Sequence, residues 1–115
     1  MIEQGLQQEI NMVMTEARNR RLEFVTVEHL LLALLNMDDV ISFLRGKRVN
    51  IDELRAELDQ YIDSHTPIIS EDAEIDIVPT VGFQRVLQRS VYQAQSAQKN
   101  SVNAMNVFVS IFSEK

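Results

Sequence analysis

No cysteine occurs in these 115 residues. Disulfides, thiolate metal sites and cysteine nucleophiles are therefore excluded, and the composition agrees with a cytoplasmic protein. Glycine is scarce. Gly5, Gly46 and Gly82 are the three present, and they cannot build the phosphate-cradling loop G-x-x-x-x-G-K-[ST]. No nucleotide hydrolysis is expected of this stretch. Long apolar runs are also missing. The longest, residues 30–35, is far too short to span a membrane. The N-terminus has no basic region followed by an apolar stretch, so no signal peptide is expected. Positive charge is in deficit: eleven Lys and Arg face seventeen Asp and Glu, a net charge of -6. An acidic surface repels phosphate backbones, which argues against nucleic acid as a partner. Ser, His and Asp occur, but not in the spacing of a catalytic triad. His65 stands beside Asp63. Two ligand types in one loop fall short of the three or four a metal needs, so no metal site is expected.

What is present suits one helical domain. The hydrophobic fraction is 45%, enough for a core at this length. Leu6, Ile10, Val13, Met14 and Ala17 recur with the period of an amphipathic helix, predicted from about Ile2 to Arg20. Arg18, Asn19, Arg20 and Arg21 then fall at its end, where cations complement the helix dipole. Thr26 is a good N-cap for a second helix, with Glu28 in its first turn. That helix, His29-Leu30-Leu31-Leu32-Ala33-Leu34-Leu35, is apolar on nearly all sides and reads as buried and central. His29 reads as a packed or hydrogen-bonded core histidine. A third short helix follows Asp38 or Asp39, with Gly46 as a left-handed stop. A fourth starts near Asn50 with the stripe Ile51, Leu54, Leu58, Tyr61 and Ile62. Residues 64–79 hold Pro67, Pro79 and an acidic run, and read as a solvated loop. A fifth helix carries Phe83, Leu87, Val91 and Ala94. A sixth, capped by Asn103, carries Val107, Phe108, Val109, Ile111 and Phe112. Met12, Met14, Met37 and Met105 read as core or near-core filler, with a weaker peptide-groove role as the alternative.

An internal repeat organises these elements. The caps Thr26 and Asn103 stand 77 residues apart. At that offset Leu6 falls on Phe83, Ile10 on Leu87, Met14 on Val91, Ala17 on Ala94, Leu30 on Val107 and Leu34 on Ile111. Two helices and the loop between them hold register without a gap, which indicates duplication rather than shared period. Repeat one spans 1–63, the acidic linker 64–79 and repeat two 80–115. The first repeat has two further helices after its apolar one, and the second has none before Lys115. Exposing residues 107–112 would cost several kcal/mol, at about 1.5–3 kcal/mol per large side chain. The expected compensation is rearranged packing, a dimer or a frayed C-terminus.

The segment Phe24-Val25-Thr26-Val27-Glu28-His29-Leu30-Leu31-Leu32-Ala33-Leu34-Leu35 resembles the first signature of the Clp N-terminal repeat domain. Phe83-Gln84-Arg85-Val86-Leu87-Gln88-Arg89-Ser90 is similar to the start of its second repeat. Residues 107–114 are similar to the ClpA-type ending. The resemblance implies an all-α, duplicated bundle of eight helices, about six of them supplied here. It implies a non-catalytic docking domain on a hexameric AAA+ unfoldase that works with the ClpP peptidase, with ATP and magnesium held elsewhere in the parent. The implied partners are the ClpS adaptor and protein substrates. Glu23, Glu28, Thr80 and Val81 match positions that the ClpA type turns toward ClpS, although Glu28 also suits a helix start and Thr80 a helix cap. The ClpC type reads phosphoarginine through an acid in each repeat. Here Glu28 has Met105 as its counterpart, which cannot pair with a guanidinium. The alternatives are a substrate-gripping domain of a ClpB-like disaggregase and a free-standing helical regulatory protein.

Overall fold

The structure is a computed structural model and describes residues 2–69 and 77–113. Six helices carry the fold: α1 (Gln4–Asn19), α2 (Val27–Leu34), α3 (Asp38–Gly46), α4 (Ile51–His65), α5 (Val81–Ser96) and α6 (Ala104–Ser113). Two strands of two residues, β1 (Phe24–Val25) and β2 (Val78–Pro79), pair in parallel. The all-α class is as expected, and each predicted helix is found.

The two apolar helices lie at the centre. α2 packs on α1, α4, α5 and α6, and α6 packs on α5, α2 and α3. Leu30, Ala33, Leu34 and Leu35 are fully buried, as is Val107, and Ser110 beside them is sealed as well. The amphipathic helices contribute one stripe each: Leu6, Ile10 and Ala17 from α1, Leu58 and Ile62 from α4, Phe83, Val86 and Ala94 from α5. One contiguous core results.

The backbone repeats at the offset found in the sequence. α1 ends with Arg21 at φ 58° and α5 with Gln98 at φ 59°. Both are left-handed caps without glycine, a conformation that costs an L-residue of this kind about 1 kcal/mol. The closing bonds match as well. Leu22 N–H donates to the Ala17 carbonyl at 3.0 Å, and Lys99 N–H to the Ala94 carbonyl at 2.8 Å. Beyond the caps, Thr80 N–H donates to the Val25 carbonyl and Glu3 N–H to the Val102 carbonyl, both at 2.9 Å. Ile2 bridges Val102 in parallel as Pro79 pairs with Val25. Each half therefore begins by lying across the middle of the other.

Three expectations need correction, and the expected rearrangement around α6 is met in part. Gly46 is not the left-handed stop of α3. The helix runs through it, and Arg48 takes φ 61° instead, with Val49 N–H closing on the Leu44 carbonyl at 3.0 Å. The loop at 64–79 starts later, because α4 continues to His65, and it is not wholly irregular. Ile68 bridges Leu22, and Val78 and Pro79 form β2. The acidic run 71–76 lies outside the described residues. Met12 is 63% exposed and fills no core, whereas Met14, Met37 and Met105 pack against it. The apolar face of α6 is met in part by rearranged packing. Phe43 of α3 stands edge-on to Phe108, ring centroids 5.7 Å apart, while Phe112 remains 68% exposed.

Candidate docking surface

Glu23 and Glu28 precede Thr80 and Val81 by more than fifty residues, and the two short strands bring the segments that carry them together. Phe24 pairs with Val78 and Val25 with Pro79. The ladder places Glu23 at one end and Thr80 at the other, with Val78 N–H on the Glu23 carbonyl at 3.3 Å and Thr80 N–H on the Val25 carbonyl at 2.9 Å. Glu23 also donates its N–H to the Pro67 carbonyl at 2.9 Å. The Glu23 backbone is thus held from both sides while its side chain stays exposed. Glu28 sits in the first turn of α2 and is partly exposed.

Thr80 is the N-cap of α5, and its hydroxyl accepts from Phe83 N–H at 3.2 Å. The capping role expected of it is therefore present, and it orients Val81, which is 67% exposed. Gly82 lies against α2: a Cβ there would stand 3.2 Å from Val27 Cγ2. This close approach brings the start of α5 against the start of α2. Sequence reasoning missed Ile68, at an isolated bridge to Leu22, and Val78 of β2, which are 72% and 47% exposed on segments flanking Glu23. Their place depends on long-range bridges that no local pattern announces. The surface is two carboxylates around exposed aliphatic side chains on a backbone fixed by hydrogen bonds. Strand addition is blocked at the free edge of β2. Pro79 has no N–H, and its carbonyl accepts from Gln84 Nε2 at 3.1 Å.

His29 braces this surface from within. It is buried, and its Nδ1 accepts from Thr26 N–H at 3.0 Å, with the Thr26 hydroxyl 3.0 Å from the same nitrogen. The proton is therefore on Nε2, a sealed donor without a partner among the described residues. Burial, and then the Arg20 guanidinium, push its pKa down to about 4 against the opposing pull of Asp59. Arg20 itself pairs with Asp63. His65 turns elsewhere, stacking on Tyr61 with Nδ1 2.9 Å from the Tyr61 carbonyl. The two candidate ligands His65 and Asp63 are thus committed to different neighbours.

The second half presents the same backbone with other side chains. At the 77-residue offset the counterparts of Glu23, Glu28, Thr80 and Val81 are Asn100, Met105, Glu3 and Gln4. Met105 is partly buried and packs on the core, so the acid pair belongs to one surface alone.

The model of the Clp repeat (R) N-terminal domain matches residues 1–115. The chain belongs to the Clp repeat N-terminal domain family. A ClpA homolog protein of Fuscovulum blasticum is 36% identical over 111 residues, covering 96% of this chain and 14% of that protein. The chain thus spans about a seventh of that relative's length. Among solved structures, the N-terminal domain of the ClpV1 ATPase from E. coli superposes with TM-score 0.82 at 13% identity, over 98% of this chain and 68% of the other. The Hsp104 N-terminal domain from Candida albicans gives TM-score 0.81 at 13% identity, over 96% and 72%. At such identities the likeness establishes the Clp N-domain fold and no more. No helix among the described residues is long and apolar enough to cross a membrane.

Proposed function

We propose that this Clp N-domain is the adaptor- and substrate-docking module of a ClpA-type unfoldase, that it is not itself catalytic, and that Glu23, Glu28, Thr80 and Val81 form its adaptor surface. The observation that carries the reading is the β1–β2 ladder. It joins a carboxylate pair from the first repeat to an exposed aliphatic start of the second on one rigid backbone. Charges around a small apolar centre are the arrangement that sets register and speeds encounter at a protein interface. The partner this implies is the ClpS adaptor, presenting cationic groups around an apolar contact. ClpP would be reached through the hexamer of the full-length parent, in the cytoplasm. The 36% identity to a ClpA homolog supports the ClpA type over the disaggregase type.

Titration of the 15N-labelled chain with purified ClpS tests the reading. Saturable amide shifts are expected at Glu23, Glu28, Thr80 and Val81. Shifts confined to other faces, or none, would reject the assignment.

A further inference from the structure

Single exposed aliphatic side chains are ordinary on a protein surface, whereas several held rigidly around one strand mark a contact. Ile68, Val78 and Val81 stand on three different segments, and each segment is hydrogen-bonded to residues 21–25. Around Ile68, the Glu23 N–H donates to the Pro67 carbonyl at 2.9 Å and the Ile69 N–H to the Arg21 carbonyl at 2.7 Å. Arg21 Nε returns a bond to the Ile69 carbonyl at 3.3 Å. Val78 N–H reaches the Glu23 carbonyl, and Thr80, which precedes Val81, reaches the Val25 carbonyl. All three aliphatic side chains are exposed, and Ile68 is more exposed than any other large hydrophobic side chain among the described residues. Its backbone is bonded on both sides, so a partner that covers Ile68 meets it already in place. Preorganisation of this kind lowers the ordering cost of binding.

The aliphatic set belongs to one surface, as the carboxylates do. At the 77-residue offset Gln4 replaces Val81. Glu23 lies on the stretch between the segments of Ile68 and Val78, so a partner that meets the carboxylate meets the aliphatic groups beside it. The two kinds of side chain act at different stages. Exposed charges act at a distance, speed encounter and fade as salt rises. Apolar contacts act only once the surfaces touch, and so they govern how slowly the complex separates.

We propose, resting on the adaptor reading of this surface, that Ile68, flanked by Val78 and Val81, is the apolar anchor that sets the lifetime of the adaptor complex, while Glu23 and Glu28 set how fast it forms. The partner is then a protein face that carries an apolar side chain between cationic groups.

Stopped-flow kinetics of purified ClpS with the parent chain and with Ile68→Ser, Ile68→Val and Met12→Ser, at several salt concentrations, test this. Ile68→Ser is expected to dissociate about tenfold faster with an unchanged association rate, and the loss is expected to be the same at low and high salt. Ile68→Val keeps the parent lifetime. Met12→Ser, which alters another exposed side chain in the middle of α1, leaves both rates as they are. Ile68 is exposed, so its variants fold, and unchanged far-UV circular dichroism verifies that. An unchanged dissociation rate in Ile68→Ser, with binding still lost in the Glu23→Lys, Glu28→Lys double variant, would overturn the anchor and leave the adaptor reading standing. A slower association alone, or an equal loss in Met12→Ser, would also overturn the anchor. No binding to the parent chain would reject both.

Discussion

At the scale of single residues, His29 links the core to the proposed docking surface. Its folded-state pKa of about 4 lies below the ordinary 6.5. A depressed histidine pKa means that the unfolded chain takes up the proton first as pH falls. Stability is then complete above pH 6.5 and declines as pH drops toward 4, by on the order of 2–3 kcal/mol in total. His29→Gln keeps an acceptor at the same helix position and removes the titration. Urea unfolding at a series of pH values should show a shallower decline between 6.5 and 4 for the variant than for the parent. Equal slopes would remove His29 from the account. The Arg20–Asp63 pair makes a contrasting case. Both side chains are partly exposed, so Asp63→Asn should cost less than about 1 kcal/mol. A loss well above that in the same assay would show the pair to be buried in solution. The burial and hydrogen bonding of His29 were legible in the sequence, because a histidine in the first turn of so apolar a helix has nowhere else to go. The exposure of Met12 was not. Its helix had apolar residues enough for one stripe without it, and methionine alone does not declare its side.

At the scale of elements, the caps and the two short strands decide where the proposed docking groups stand. Thr80→Ala removes the acceptor for Phe83 N–H and should cost about 1 kcal/mol, read as a lower melting temperature. Its effect on adaptor affinity should exceed that of a solvent-facing change such as Gln60→Ala on α4, because Val81 loses its fixed entry into α5. Helix periods were plain in the sequence, since each amphipathic helix buries a single stripe. The stop of α3 was misread for a physical reason. A helix tolerates glycine where tertiary packing holds it, and the left-handed turn fell two residues later, on Arg48. The strands were scarcely legible at all. A two-residue parallel ladder has no period, and its partner lies more than fifty residues away in the chain.

At the scale of the whole molecule, duplication explains both the fold and the asymmetry of its surfaces. The gapless offset visible in the sequence reappears in the backbone as matched left-handed caps, Arg21 and Gln98, and as matched cross-half bonds to Val25 and Val102. The side chains on the two copies have diverged. At equivalent positions one copy carries Glu23 and Glu28, and the other Asn100 and Met105, which packs on the core. Adaptor binding through a carboxylate pair should therefore saturate at one partner per chain and weaken with ionic strength, which light scattering and titration at several salt concentrations would show. The central claim is that Glu23 and Glu28 hold the adaptor, and calorimetric titration of purified ClpS into the parent chain and into the Glu23→Lys, Glu28→Lys double variant tests it most directly. The account predicts saturable binding to the parent and a loss of at least about a hundredfold in the variant, consistent with reversing two interface charges. Equal affinity for both proteins, or no heat from either, would contradict it.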